Sequence, residues 1–135
     1  MEWIQQNIIN IIIFAVIGWI LWGRLVAPKL SGVKSISATD YMHFRNEAHT
    51  LLDVRSADEW QSGHPPKAIH IALGDISKRM HEISKTEPLV VICASGMRSS
   101  MAATQLAKAG FEPIYNFSGG MGSWQAAGLP VKKEK

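Results

Sequence analysis

From residue 33 onward, short apolar runs alternate with segments in which apolar residues recur at helical spacing. Five of these runs predict strands, at residues 33–37, 50–54, 68–71, 89–93 and 114–117. Because strand and helix alternate, the pattern predicts an α/β domain with a central parallel sheet and helices on both faces. The run Leu-Val-Val-Ile-Cys is almost wholly apolar, as is typical of a central parallel strand covered on both sides.

The segments between these strands carry helical patterns. Helices are predicted at residues 39–48, 56–62, 99–109 and 121–127, and one more follows the third strand. The residues expected to face the core from the first helix and from the helix after the third strand are Tyr41, Met42, Phe44, Ile76, Met80 and Ile83. Ser56 and Glu59 have the spacing of a capping box, and Gly63 is expected to end that helix.

A different pattern occupies the N-terminus, where residues 3–22 are predominantly apolar. As a helix, these twenty residues span about 30 Å, which matches the hydrocarbon core of a bilayer. Trp3 lies at one end, and Trp19 and Trp22 lie at the other, and tryptophan favours the membrane interface.

A cleaved signal peptide and a buried core helix are the alternatives. A signal peptide normally has positive charge near its N-terminus and small residues at its cleavage site. Here the first turn carries Glu2 and neither Lys nor Arg, and Pro28 follows Ala27, which is a poor context for cleavage. A core helix needs packing partners, and the remaining residues already form the pattern of a complete domain. We therefore expect residues 1–27 to be a transmembrane anchor that contacts the lipid bilayer through residues 3–22. The other predicted parts are a linker at 28–34, a folded domain at 35–131 and a basic tail at 132–135.

Charges flanking the apolar segment predict its orientation. Arg24, Lys29 and Lys34 follow it, and no basic residue precedes it. Because cytoplasmic flanks carry an excess of Lys and Arg, the domain is expected to face the cytoplasm on a single-pass membrane protein. A single unpaired cysteine is consistent with that reducing compartment.

Composition narrows the classes of function. The net charge is only +3, and no basic stripe with interleaved aromatic residues is present, so no nucleic-acid partner is expected. With one cysteine, the chain can form no internal disulfide and no zinc site of several thiolates. The five histidines show no metal-ligand spacing, so neither a metal nor a cofactor is expected.

Cys93 ends the predicted central strand and is followed by the small residues Ala, Ser and Gly at 94–96. A helix is expected to begin at about Ser99, so the unit is a strand, a tight loop and a helix. Backbone N–H groups of such a loop, together with the helix N-terminus, converge on one point and favour an anion there. The pKa of the Cys93 thiol should therefore be lowered, and Arg98 adds a permanent positive charge. The alternative is a buried structural cysteine, which would require neither Gly96 nor Arg98 at these offsets.

Three motifs make residues 33–131 resemble the rhodanese domain family. The sequence Cys-Ala-Ser-Gly-Met-Arg at 93–98 is similar to the family's active loop, Cys-x-x-Gly-x-Arg. The other two motifs are Leu-Asp-Val-Arg at 52–55 with Glu59-Trp60 and Gly63-His64, and Ser-Gly-Gly-Met at 118–121 with Trp124 and Gly-Leu-Pro-Val at 128–131. Related phosphatases of the cell-division-cycle type carry five residues between Cys and Arg. This chain has four, which favours sulfur over phosphate.

The resemblance implies a three-layer fold and a sulfurtransferase whose catalytic residue, Cys93, carries sulfur as a persulfide. The donor would be thiosulfate or a protein persulfide, and the acceptor cyanide or a thiol. The residues implied in substrate binding are Ala94, Ser95, Gly96, Met97, Arg98 and Ser99. Arg98 would orient the leaving oxyanion, and Met97 would form an apolar lip. Asp53 and Arg55 are expected either to hold the active loop through hydrogen bonds or to have a role in the fold alone.

Some features of the chain depart from the family pattern. Pro65 and Lys67 stand where the family commonly has Ile and Gly, so the turn before the third strand is expected to differ from that of the family. The loop has no second basic residue, so modest affinity for thiosulfate is expected. Trp60 and Trp124 are expected to pack in the core, and His64 to have a structural role.

Two rival functions remain open at this level. One is a persulfide relay between protein partners, and the other is a non-catalytic binding module held at the membrane. Because no second thiol exists in the chain, a persulfide on Cys93 would have to pass to an external acceptor.

Overall fold

The computed structural model describes residues 2–22 and 32–133. The chain divides into two compact units, Met1–Ser31 and Gly32–Lys135. The predicted linker falls outside the described residues as far as residue 31, and so do Arg24 and Lys29 and the last two residues of the predicted tail.

The first unit contains helix α1, Glu2–Leu21, which is 20 residues long. None of its side chains is buried within the protein. Its mean hydropathy of 1.8 and its length are sufficient for a helix that crosses a membrane. Trp3 and Trp19 are more than three-quarters exposed.

The second unit is built on a five-stranded sheet, and all the strand pairs described are parallel. The strands are β1 (Val33–Ile36), β2 (Thr50–Asp53), β3 (Ile69–His70), β4 (Leu89–Ile92) and β5 (Ile114–Phe117). Their order across the sheet is β1-β5-β4-β2-β3, so β4 is the middle strand. The predicted central strand is therefore confirmed, and all four of its residues are buried.

The helices of this unit follow the strands in turn. They are α2 (Ala38–Phe44), α3 (Ala57–Ser62), α4 (Ile76–Arg79), α5 (Met97–Lys108) and α6 (Gly120–Ala126), and short 3₁₀ turns at Leu73–Asp75 and Met80–Glu82 flank α4. Ser37 and Ser56 each accept the backbone N–H of the N3 residue, so α2 and α3 both begin with a complete capping box. The capping box predicted at Ser56 and Glu59 is thus confirmed.

Two separate apolar cores cover the two faces of the sheet. In β4, Leu89 and Val91 join Cys93 in one core, together with the buried residues of α4 and α5. Val90 and Ile92 point into the other core, which includes Tyr41 of α2 and Trp124 of α6. Because successive side chains of a strand alternate between faces, the apolar run of β4 supplies both cores. The fold is the predicted three-layer α/β arrangement.

Several predicted boundaries shift. Helix α2 ends at Phe44 instead of residue 48, because the polar, exposed residues after it offer no packing that would extend the helix. Met42 is 45% exposed and does not face the core as predicted, whereas Tyr41 is buried and Phe44 packs against the same core. Helix α5 begins at Met97, so Arg98 lies in its first turn and not in the loop before it.

The C-terminal end of the domain pairs with the segment that follows α3. The backbone of Lys132 exchanges two hydrogen bonds with that of His64, at 2.9 and 2.8 Å. The predicted basic tail therefore starts with a residue that pairs with the domain.

Candidate active site

Cys93 lies directly beyond the carboxyl end of β4 and at the start of the loop that leads into α5. The cysteine itself is fully buried, while Ser95 and Met97 are exposed and Ala94, Gly96 and Arg98 are half-buried. The thiol therefore lies just beneath a surface formed by its own loop. Of the predicted binding residues 94–99, Ser95, Gly96 and Ser99 donate hydrogen bonds to the thiol.

Hydrogen bonds and burial act on the thiol in opposite directions. Burial raises the pKa of Cys93, but hydrogen bonds from the Ser99 side chain and from the backbone N–H groups of Ser99, Gly96 and Ser95 lower it further, so the net pKa lies below that of an ordinary thiol. The Gly96 N–H is 3.0 Å from Sγ. Gly96 has a φ of +103°, in the region that favours glycine, and this conformation lets the loop turn its N–H groups inward. The arrangement stabilises an anion on sulfur.

Asn116 of β5 holds the loop from beneath. Its Nδ2 donates to the Gly96 carbonyl at 3.2 Å, and its Oδ1 accepts from the Ser99 hydroxyl. Ser99 has one hydroxyl hydrogen and two acceptors for it, Asn116 and the Cys93 thiolate, so it can serve only one at a time. The backbone N–H groups are therefore the constant donors to sulfur.

The glycine pair after β5 supports the start of the loop. The Met121 N–H donates to the Cys93 carbonyl at 2.8 Å. Gly120 has a φ of +57°, and a Cβ there would meet the backbone of Cys93 and Ala94 at 2.3 to 2.5 Å. The glycine at position 120 of the Ser-Gly-Gly-Met motif is therefore explained by close packing, because any side chain there would displace the active loop.

Arg98 is paired with a carboxylate that the motif reading did not assign to the site. Its Nη1 donates to Glu59 Oε1 at 2.7 Å, and its Nη2 donates to Oε2 at 2.9 Å. These bonds lower the pKa of Glu59 to about 2 against the opposing effect of burial. Glu59 was predicted as a helix cap and part of a motif, and its spacing to Ser56 gave no sign of its contact with a residue 39 positions later.

Asp53 and Arg55 form a buried pair at the end of β2. Arg55 donates to both carboxylate oxygens of Asp53, at 2.7 to 3.0 Å, and to the Gly63 carbonyl at 2.6 Å. Among residues 32–133, their side-chain hydrogen bonds go to each other and to Gly63, and none goes to residues 94–99. Two roles were predicted for this pair, and these contacts favour a role in the fold alone. The bond from Arg55 to the Gly63 carbonyl fixes the C-terminal end of α3, the helix that carries Glu59.

The aromatic residues beside this pair are arranged in a stack. Trp60 stacks on His64, with ring centroids 3.5 Å apart, and on His70 at 4.8 Å. Trp60 is half-buried, so the prediction that it packs in the core is wrong. Its ring stacks on two imidazole rings instead. Trp124 is buried as predicted and donates from Nε1 to the Pro130 carbonyl at 2.8 Å. His64 is buried, with Nδ1 2.9 Å from the Pro65 carbonyl.

A strand-loop-helix cradle around a single cysteine, on a five-stranded parallel sheet with helices on both faces, defines the class of this domain. The family model for the rhodanese-like domain matches residues 37–127. The chain therefore belongs to the rhodanese-like domain family.

Particular relatives agree with that assignment. The chain is 33% identical over 87 residues to the thiosulfate sulfurtransferase GlpE of Actinobacillus pleuropneumoniae, covering 64% of this chain and 81% of GlpE. It is 39% identical over 79 residues to YrkF of Bacillus subtilis, covering 58% of this chain and 43% of that longer protein. Among solved structures, a rhodanese-related protein from Thermoplasma volcanium is similar with a TM-score of 0.70 at 33% identity, covering 75% of this chain and 99% of the other.

Proposed function

We propose that this protein is a sulfurtransferase in which Cys93 accepts a sulfane sulfur and passes it to a thiophilic acceptor. The observation that supports it most directly is the buried thiol with a lowered pKa, surrounded by inward N–H groups of its own loop. The naming of GlpE as a thiosulfate sulfurtransferase, at 33% identity, supports the same reaction class.

The reaction would proceed in two steps through a covalent intermediate. The Cys93 thiolate attacks the outer sulfur of the donor, the bond between that sulfur and the leaving group breaks, and the leaving group takes the electron pair. Cys93 then carries a persulfide, whose terminal sulfur is held by the N–H groups of the loop. An acceptor such as cyanide or a thiolate attacks the terminal sulfur, and the Cys93 thiolate is restored.

The full chain, purified in a mild detergent as wild type and as Cys93→Ala, tests this function. Incubation with thiosulfate or with a persulfidated protein should add one sulfur atom, about 32 Da, to the wild type alone. Cyanide should then release thiocyanate from the wild type and not from the variant. If neither donor adds mass to the wild type, the chain does not transfer sulfur, and a binding role takes its place.

A relay between proteins is the second candidate, and the single cysteine is as compatible with it as with the first. No internal thiol can resolve the persulfide as a disulfide, so sulfur leaves only to an external acceptor. A relay predicts that a protein persulfide loads Cys93 readily while thiosulfate loads it slowly.

We also propose that α1 anchors the chain in a membrane, with the sulfurtransferase domain facing the cytoplasm. The length and hydropathy of α1 support the anchor, and Arg24, Lys29 and Lys34 on its C-terminal side support the orientation. In sealed vesicles, added protease should degrade the domain only when the cytoplasmic face is outward. Degradation only when the opposite face is outward would show that the domain does not face the cytoplasm.

A further inference from the structure

The guanidinium of Arg98 forms a bidentate ion pair with the carboxylate of Glu59. Two parallel charge-assisted hydrogen bonds join them, at 2.7 and 2.9 Å. About a third of each side chain is exposed, 36% for Arg98 and 35% for Glu59. The positive charge next to the active loop is therefore already balanced before a substrate arrives.

Glu59 is kept in this position by its own helix. Its Oε1 accepts from the backbone N–H and from the hydroxyl of Ser56, at 3.2 and 3.0 Å, as part of the capping box of α3. With a pKa of about 2, it is ionised throughout the neutral range. To turn away from Arg98, the carboxylate would have to give up its contacts with the cap, so its charge is a fixed feature of the site.

The remaining residues of the loop supply no second cation. Residues 94–97 and Ser99 are uncharged, so among residues 94–99 Arg98 alone is positive. The N–H groups of the loop suit one anionic sulfur. In thiosulfate, a sulfonate with further negative charge is bonded to that sulfur, and the fixed Glu59 carboxylate repels it while it occupies Arg98.

We propose that Glu59 is a specificity-determining residue that makes thiol persulfides better sulfur donors than thiosulfate; this inference rests on the sulfurtransferase function proposed above. With a persulfide, Cys93–S⁻ and R–S–SH give Cys93–S–SH and R–S⁻, and the leaving thiolate carries one charge. With thiosulfate, Cys93–S⁻ and ⁻S–SO₃⁻ give Cys93–S–S⁻ and SO₃²⁻, and the doubly charged sulfite must leave past the paired Arg98. Donor choice is thus set by the charge next to the sulfane sulfur.

A pair of substitutions isolates the charge of Glu59 from its role in the fold. Glu59→Gln removes the charge but keeps a side chain that can complete the capping box. Asp58→Asn removes one charge from the neighbouring position of the same helix. Asp58 is exposed and shares no ion pair with Arg98, so this variant is the control for a general change in net charge.

The first measurement is independent of sulfur transfer, because Cys93 is the only thiol in the chain. The full chain in detergent is alkylated with iodoacetate, which is anionic, and with iodoacetamide, which is neutral. We expect the ratio of the iodoacetate rate to the iodoacetamide rate to rise about tenfold in Glu59→Gln, the size of a charge interaction at a site that is about one-third exposed. Asp58→Asn should change it by less than about twofold.

The second measurement compares donors. Thiocyanate formation is followed with thiosulfate and with the persulfide of 2-mercaptoethanol, whose leaving group is otherwise uncharged, after subtraction of the rate without protein. In Glu59→Gln, kcat/KM for thiosulfate should rise about tenfold while that for the persulfide stays within about twofold. The wild type should prefer the persulfide.

The outcomes separate the two proposals. If Glu59→Gln changes the alkylation ratio and the thiosulfate-to-persulfide ratio of kcat/KM no more than Asp58→Asn does, Glu59 does not select donors. If Glu59→Gln lowers kcat/KM for thiosulfate, Glu59 does not select against thiosulfate but orients Arg98 toward the anion. If neither donor loads Cys93 in any variant although the alkylation ratio shifts, the sulfurtransferase function is wrong and donor selection is wrong with it. Shifts in both ratios for Glu59→Gln alone support the inference.

Discussion

At the scale of single residues, the chemistry of Cys93 depends on donors that outweigh burial. The thiol is fully buried, which by itself would raise its pKa. The hydrogen bonds from Ser99, Gly96 and Ser95 reverse that effect. Cysteine reactivity therefore depends on loop geometry, which a substitution that leaves Cys93 in place can still alter.

Ser99→Ala tests the part of that geometry that comes from a side chain. Because only the thiolate reacts with iodoacetamide, the alkylation rate of the wild type should rise with pH through a midpoint below the value of about 8.5 for a free cysteine. Loss of the Ser99 hydroxyl should move the midpoint upward and slow alkylation at pH 7. Ser100→Ala, on the exposed side of α5, is the control. An unchanged midpoint would mean that Ser99 donates to Asn116 alone.

The buried pair of Asp53 and Arg55 gives a prediction about stability. Asp53→Asn leaves Arg55 with its charge buried and no carboxylate beside it, which should lower the free energy of unfolding by about 3 kcal/mol. Urea denaturation of the detergent-solubilised chain measures this change. Asp58→Asn, at an exposed position, should stay within about 0.5 kcal/mol. A loss within about 0.5 kcal/mol for Asp53→Asn as well would show that the buried pair contributes little.

At the scale of elements, the sequence predicts what depends on neighbouring residues and misses what depends on distant ones. The strand at 114–117 and the capping box of α3 match the structure because hydrophobic runs and short-range hydrogen bonds define them. The contacts of Glu59 with Arg98 and of Asn116 with the loop were not predicted, because strand order brings these residues together. Likewise, nothing local indicates that Trp60 stacks on two histidines.

The Gly119-Gly120 turn yields a prediction with a control in the same helix. Gly120→Ala places a Cβ within 2.5 Å of the backbone at the start of the active loop, at a φ that alanine rarely adopts. The loop must move, and sulfur transfer should fall at least about tenfold with a lower Tm. Gly122→Ala has no atom within 4 Å of the new Cβ, so it should raise stability by about 0.5–1 kcal/mol. Equal activity in the two variants would show that the loop tolerates displacement.

At the scale of the whole molecule, α1 gives the clearest prediction about location. Ile12 and Val16 lie near the middle of this helix, where an arginine costs about 2.5–3.5 kcal/mol in a bilayer. The double variant Ile12→Arg, Val16→Arg should leave the membrane fraction, whereas the wild type should resist extraction with high salt. Gln5→Arg with Gln6→Arg, near the end of the helix, should remain bound. Release of the wild type by salt alone would show that α1 does not span the bilayer.

The position of β1 at the edge of the sheet has a consequence for synthesis on the ribosome. Among the described strands, β1 pairs with β5 and with no other. Ile114 is made 81 residues after its partner Val33. At a synthesis rate of about 5–20 residues per second, roughly 4–16 s pass between the synthesis of β1 and that of β5, the strand with which it pairs. The first strand of the domain thus leaves the ribosome long before it can be paired, and its short length and the polar Lys34 and Ser35 limit mispairing with other chains in that interval.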